Sequence, residues 1–286
     1  GNVMNEYLKK IEAKENTEER FKYIDLLLKN NSIDIKSLED YYAKNISWDT
    51  ILFAERYHNI INIERLEDII IRNNNLELIY AFAKYVKGAN ITKLEGVVIE
   101  KGSKKYACHF ASYVKGANIN KLEDVIIKRN DPFWMAVFAQ KVKGANISRL
   151  ENAIIKSKNL VQITNFAIHI KEANIPRLEN AIIENGEAKD IYYFARYVKG
   201  ANISILEDAI VNTKDILYIT CFALHVNGAN IPRLVDIINK SGNIEEINFI
   251  SEYLKEKQKS LEDSNISTND VNQIKATSKK KIKYID

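Results

Sequence analysis

The strongest constraint on this chain is an internal repeat with a period of 28 residues. The hexapeptide Val-Lys-Gly-Ala-Asn-Ile occurs unchanged at 86–91, 114–119, 142–147 and 198–203, and near-copies occupy 170–175 and 226–231. A fixed period of this size indicates an array in which each repeat packs mainly against its neighbours. The asparagine of the hexapeptide marks the register and recurs at Asn62, Asn90, Asn118, Asn146, Asn174, Asn202 and Asn230.

Each repeat contains two helical patterns when it is numbered from its asparagine as position 1. Isoleucine at position 2, leucine at position 5 and Ile or Val at position 9 form one face of a first helix, helix A. Phenylalanine at position 21, alanine at position 22 and Val or Ile at position 25 form the core face of a second helix, helix B. Helices of about ten residues are marginally stable alone, so the fold requires stacking of the repeats.

The ends of the chain depart from the regular pattern. Residues 5–33 contain two amphipathic patterns, and a degenerate repeat follows at 34–61. A second degenerate repeat begins at Asn230, where Val235 replaces the usual glutamate. We therefore predict capping helices over 1–33, a repeat array over 34–254, and a closing helix with a polar, lysine-rich tail over 255–286.

The repeats, with Asn-Ile-x-x-Leu-Glu opening one helix and Phe-Ala-x-x-Val closing the next, resemble short α-solenoid repeats of the HEAT, armadillo and leucine-rich-variant kind. The resemblance covers about 34–254. It implies an all-α fold, a right-handed α-α superhelix of about eight two-helix repeats with capping helices at both ends. Proteins of this class mostly serve as binding scaffolds, although a fold does not by itself assign a function.

Composition excludes several other classes. The net charge is only +4, because 42 basic residues face 38 acidic ones, which is less than a strongly basic nucleic-acid-binding protein shows. Cys108 and Cys221 lie four repeats apart, so a disulfide between them is not expected. There is no apolar run long enough to span a membrane and no signal-peptide core, so we expect a cytoplasmic protein without membrane contact.

The recurring asparagine has a structural and a functional interpretation. A structural asparagine would cap the backbone N–H groups at the start of helix A, whereas a functional one would offer one ligand group per repeat. A competing cap is the Ser or Thr at position 3 with the glutamate at position 6. Pro176 and Pro232 at position 3 favour the asparagine, since proline suits the first turn. We assign a structural role to Asn90, Asn118, Asn146, Asn174, Asn202 and Asn230.

Two cations per repeat suggest an edge that binds anions. The first row is position 26, with Lys87, Lys115, Lys143, Lys171 and Lys199. The second row is position 4, with Arg65, Lys93, Lys121, Arg149 and Arg177. The structural interpretation is that position 26 complements the dipole in the last turn of helix B, and that position 4 pairs with the aspartate three residues later.

Helix B carries two further candidate surfaces. Position 24 holds Tyr85, Tyr113, His169, Tyr197 and His225, which we interpret mainly as packing between repeats. Positions 16, 20 and 23 lie opposite the core and should be solvated, yet some repeats are apolar there, including Leu217, Cys221 and Leu224 in the sixth. The predicted binding patch consists of Phe133, Trp134, Val137, Val161 and Ile168. The alternative is that another segment, such as the C-terminal tail, covers these apolar positions.

The sequence offers no catalytic constellation. The four histidines are scattered over different repeats, and no phosphate loop, paired metal-ligand spacing or nucleophile elbow is present. We therefore expect no enzyme activity, no cofactor and no metal. The expected function is a protein-interaction scaffold, with a protein partner or self-association. The alternative is binding of nucleic acid or another polyanion along the lysine edge.

Overall fold

The structure is a computed structural model that describes residues 2–260, and every regular element in that range is an α-helix. In the N-terminal half the helices are α1 (Asn2–Glu12), α2 (Thr17–Lys29), α3 (Ile35–Lys44), α4 (Trp48–Arg56), α5 (Ile63–Asn73), α6 (Leu76–Tyr85), α7 (Ile91–Lys101), α8 (Lys104–Tyr113), α9 (Ile119–Arg129) and α10 (Pro132–Lys141). In the C-terminal half they are α11 (Ile147–Ser157), α12 (Leu160–His169), α13 (Ile175–Asn185), α14 (Ala188–Tyr197), α15 (Ile203–Thr213), α16 (Ile216–His225), α17 (Ile231–Ser241) and α18 (Ile244–Ser260).

The helices α3 to α18 form eight consecutive pairs, each with one helix A and one helix B. Each helix B packs against its own helix A, and consecutive B helices within each unit also pack together, as α6 does with α8 and α12 does with α14. The leucine at position 5 and the phenylalanine at position 21 are fully buried in the repeats, for example Leu122 and Phe138. The predicted all-α helical-repeat fold is therefore confirmed.

The chain divides into two compact units, with the boundary between Asn146 and Ile147. The first unit contains α1 to α10 and the second contains α11 to α18. Each unit has its own buried core.

The N-terminal end of the first unit begins with two helices that pack against each other. Helices α1 and α2 pack together and bury Ile11, Phe21, Ile24 and Leu27. The degenerate repeat that follows forms the regular pair α3 and α4.

At the C-terminal end of the second unit, α18 packs along α16, on which the sequence predicts an exposed apolar stretch. Cys221 and Leu224 are buried, and Leu217 is half-buried, so this apolar stretch is not a free surface. Helix α18 is longer than the other B helices, and its apolar side covers α16. The polar tail predicted beyond it begins in residues that lie outside the described range.

The turn after helix B shows why glycine recurs at position 27. Gly116 has a φ of +85°, which a residue with a Cβ adopts only at a cost, and no other atom approaches its missing side chain. The one regular repeat without glycine has Glu172 there. Glu172 is not among the residues with positive φ, yet the Ala173 N–H still donates to the Ile170 carbonyl at 3.1 Å. The turn is therefore closed by the same hydrogen bond as in the other repeats, without a residue in the left-handed backbone conformation.

Candidate functional site

The recurring asparagine is the N-cap of helix A. The Asn118 Oδ1 accepts a hydrogen bond from the Lys121 backbone N–H at 3.1 Å, and Asn174 and Asn202 cap their helices in the same way. The two prolines at position 3 occupy the first turn of α13 and α17, where no N–H is needed. At these helices the asparagine is therefore engaged with its own backbone.

The glutamate at position 6 has a role that the sequence did not reveal. Its carboxylate accepts a hydrogen bond from the backbone N–H of the asparagine that begins the next repeat, with distances from 2.6 to 2.9 Å. All seven of these glutamates are buried. The pairs are Glu39–Asn62, Glu67–Asn90, Glu95–Asn118, Glu123–Asn146, Glu151–Asn174, Glu179–Asn202 and Glu207–Asn230.

The glutamates therefore join consecutive repeats, and the capping-box alternative is wrong for them. Burial raises the pKa of Glu67, Glu95 and Glu179, and the hydrogen bond from the next asparagine lowers it again. Each buried carboxylate thus has a partner that favours its charged form. Val235 replaces the glutamate in the last repeat, after which no further asparagine-capped helix A follows among the described residues.

A sequence signal for these pairs does exist. Position 6 is glutamate in all seven copies, whereas position 7 beside it is Asp, Gly or Asn. A residue that is kept in every repeat followed by an asparagine-capped helix A, beside a position that varies, indicates a specific contact. The partner could not be recognised in the sequence because it is a backbone N–H.

The cations at position 4 reach back to the preceding repeat and do not pair within their own helix. Arg65 contacts both Glu39 and Asp40 at 2.6 Å, and Arg233 contacts Glu207 and Asp208 at 2.9 and 2.7 Å. Lys93 pairs with Asp68. The expected pairing with the aspartate three residues later is therefore wrong at these positions, and these cations are already neutralised by acids.

The lysines at position 26 are in a different situation. Helix B ends at position 24, so the five lysines lie in the turn beyond the helix and not in its last turn as predicted. All five are exposed, and none contacts a carboxylate of residues 2–260. The five are Lys87, Lys115 and Lys143 in the first unit, and Lys171 and Lys199 in the second.

In the second unit, an open groove runs between the outer faces of α12 and α14. Its volume is about 400 Å³. Val161 is 64% exposed and Ile168 is 38% exposed, and both belong to the predicted patch. The groove is lined by Leu160, Val161, Thr164, Asn165 and Ile168 of α12 and by Lys189, Asp190, Tyr193 and Tyr197 of α14.

The aromatic side of this groove was only partly anticipated. Tyr193 and Tyr197 stack with ring centroids 6.1 Å apart and planes inclined by 13°, and they are 42% and 50% exposed. Tyr197 belongs to the row at position 24, whereas Tyr193 was not singled out. Tyrosine at position 20 would have been the signal, because that position was expected to be solvated.

The remaining residues of the predicted patch lie in the first unit, on α10. Phe133 is half exposed and makes an edge-to-face contact with Trp134, with ring centroids 5.5 Å apart. Trp134 and Val137 are half-buried. Of these three residues, only Phe133 is as exposed as the groove residues of the second unit.

The position 24 row in the first unit is partly exposed and also takes part in contacts between repeats. Tyr85 and Tyr113 are 44% and 55% exposed. The Lys84 Nζ lies 5.0 Å from the ring centroid of Tyr85 and 5.1 Å from that of Tyr113, which belongs to the next B helix. A second contact between these B helices joins Tyr80 and His109, whose ring centroids are 5.4 Å apart.

Other kinds of site receive little support. Nowhere in residues 2–260 do three His, Cys, Asp or Glu side chains come together as a metal site would require. Both cysteines are buried thiols that form no disulfide with each other, and burial raises the pKa of the Cys108 thiol. None of the described helices is long and apolar enough to cross a membrane.

Comparison with protein-family models, curated proteins and solved structures found no significant match. The helical-repeat assignment therefore depends on the internal period and on the packing of the helices.

Proposed function

We propose that this chain is a non-catalytic helical-repeat protein that binds another protein through the groove of the second unit. The observation that supports this most directly is the exposure of Val161, Ile168, Tyr193 and Tyr197 along one groove. Aliphatic and aromatic side chains gathered on a surface are typical of interaction sites.

The chemistry of the groove suits a protein segment with apolar side chains. Burying a fully exposed Val or Ile side chain contributes about 1.5–3 kcal/mol, so covering the exposed parts of Val161 and Ile168 would favour docking. Tyr193 and Tyr197 add large surfaces with few rotatable bonds, and tyrosine is enriched where proteins meet. Lys189 and Asp190 lie beside the apolar residues and provide polar groups at the edge of the groove.

A photo-crosslinking experiment tests this proposal. A photoreactive phenylalanine analogue replaces Val161 in the full chain, and a control chain carries it at Glu184, an exposed position on α13 outside the groove. We expect a discrete crosslinked protein from the first chain only. The crosslink should disappear when Ile168→Glu is added, because a buried carboxylate would oppose docking.

The identity of the crosslinked band has two informative outcomes. A foreign protein supports the proposal, and a second copy of this chain would replace it by self-association through the same groove. The proposal is abandoned if both labelled positions give the same products, or if Ile168→Glu leaves the band unchanged.

A further inference from the structure

Basic and acidic residues are unevenly distributed along the first unit. Residues 84–146 contain twelve lysine or arginine residues and five aspartate or glutamate residues, whereas residues 2–83 contain eleven and fifteen. Three of the five acids are already engaged. Glu95 and Glu123 are buried acceptors for the next repeat, and Asp131 pairs with Lys104 at 2.7 Å. The surface of this part of the unit is therefore strongly positive.

Three of its lysines come from consecutive B helices and act on His109 of α8. Burial, and then the charges of Lys105 of α8, Lys141 of α10 and Lys84 of α6, lower the pKa of this histidine. Lys87, Lys115 and Lys143 follow in the turns just beyond the same three helices. Apart from Lys104, the lysines of these helix ends and turns contact no carboxylate in the part of the chain that the structure describes.

Aromatic rings lie between these cations. Tyr85 and Tyr113 come from consecutive repeats, expose about half of their surface, and lie on either side of Lys84. The His109 ring continues the row, with its centroid 6.4 Å from that of Tyr113. The face therefore alternates positive charge with exposed flat rings along neighbouring B helices.

We propose that this face of the first unit binds single-stranded nucleic acid, with bases stacked on Tyr85 and Tyr113 and phosphates held by the surrounding lysines. Stacking of one base on an aromatic side chain contributes about 1–3 kcal/mol and tolerates any sequence. A duplex keeps its bases inside its own stack, so it would contact the lysines only. An acidic peptide would also neutralise the lysines, but its carboxylate side chains could not stack on the two tyrosine rings as bases can.

The inference is tested with the full chain and a fluorescently labelled oligothymidine of about twelve nucleotides, a length typical of such sites. Fluorescence anisotropy measures the Kd at several salt concentrations. We expect saturable binding at low salt, and markedly weaker binding of an abasic strand of the same length, of a duplex and of polyglutamate. Equal affinity for the abasic strand would show that only charge is recognised and would overturn the proposal. Absence of binding at low salt would do the same.

The tyrosines are tested with a matched pair of variants. Tyr85→Leu with Tyr113→Leu should raise the Kd about tenfold or more, because stacking is lost. Tyr193→Leu with Tyr197→Leu replaces two equally exposed tyrosines of the second unit and should leave the Kd unchanged. Tyr85→Phe with Tyr113→Phe keeps the rings and should bind like the original chain. The proposal fails if the leucine pair in the first unit has no effect, or if the phenylalanine pair loses as much.

The lysines are tested through the salt dependence. Lys115→Gln with Lys143→Gln should reduce the slope of log K against log salt by about 1.4, since each phosphate contact on a single strand contributes about 0.7. Lys171→Gln with Lys199→Gln removes the same two charges from the second unit and should leave the slope unchanged. An equal reduction in both variants would contradict the assignment to the first unit. This test is independent of the groove on α12 and α14, so either proposal can fail alone.

Discussion

The edge where repeats meet at the start of helix A differs sharply from the outer face of helix B. At the edge, the same two contacts recur, namely the asparagine cap and the glutamate that accepts the N–H of the next repeat. On the outer face, the equivalent residues change from Lys84 in α6 to Ile168 in α12 and Arg196 in α14. Packing of consecutive repeats requires the same geometry in every repeat, whereas binding of a partner depends on the side chains of a particular repeat. The difference indicates that the edge maintains the fold, and it agrees with the proposal that the outer face is the surface available for binding.

The largest effect is expected at the edge, from Glu95→Ala. This change removes the buried carboxylate that accepts a hydrogen bond from the Asn118 N–H at 2.7 Å, and leaves that N–H at the junction of two repeats without its charged acceptor. The free energy of unfolding should fall by about 2–3 kcal/mol, as measured by urea denaturation.

The matched control for this variant is Glu100→Ala on the same helix. Glu100 is exposed, so its replacement should change the free energy of unfolding by no more than about 0.5 kcal/mol. Equal destabilisation by both variants would show that Glu95 acts only through helix α7 and not through the next repeat.

A smaller effect is expected from a glutamate that lacks such a partner. Glu246 in the first turn of α18 is buried, and no hydrogen bond to its Oε2 is found within residues 2–260. Burial, and then the charge of Glu245, raise its pKa to about 7. The folded chain thus holds this proton more tightly than the unfolded chain does.

The contribution of Glu246 to stability is complete below its unfolded pKa, near 4.3, and is lost as the pH rises through about 7. The difference should be on the order of 2 kcal/mol. Urea unfolding at pH 5 and pH 8 measures it, with Glu246→Gln as the reference that should remove this part of the pH dependence. If the glutamine variant retains the full pH dependence, Glu246 is not its source.

The features that followed from the sequence are those that depend on one repeat at a time. The period located Asn118 at the start of a helix, and Pro176 decided between the two possible caps. The buried Phe138 followed from the helical spacing of apolar residues in α10. All of these features depend on contacts within one repeat, in which residues that are close in the sequence are also close in space.

The features that did not follow depend on the neighbouring repeat. The acceptor role of Glu95 requires a backbone N–H 23 residues away, and the pairing of Arg65 requires acids in the preceding repeat. The contact between Tyr80 and His109 likewise joins consecutive B helices. Cys221 is buried on α16, which packs against α18, and the length of α18 breaks the period.

The most direct test of the contrast between edge and outer face is urea unfolding of Val161→Glu combined with Ile168→Glu, run beside Glu95→Ala. If the groove residues serve only recognition, two charges placed on their exposed side chains should change the free energy of unfolding by no more than about 0.5 kcal/mol. We therefore predict that the double variant unfolds at the same urea concentration as the original chain, well above Glu95→Ala. A loss of stability as large as that of Glu95→Ala would contradict the account, because Val161 and Ile168 would then belong to the packing of the fold.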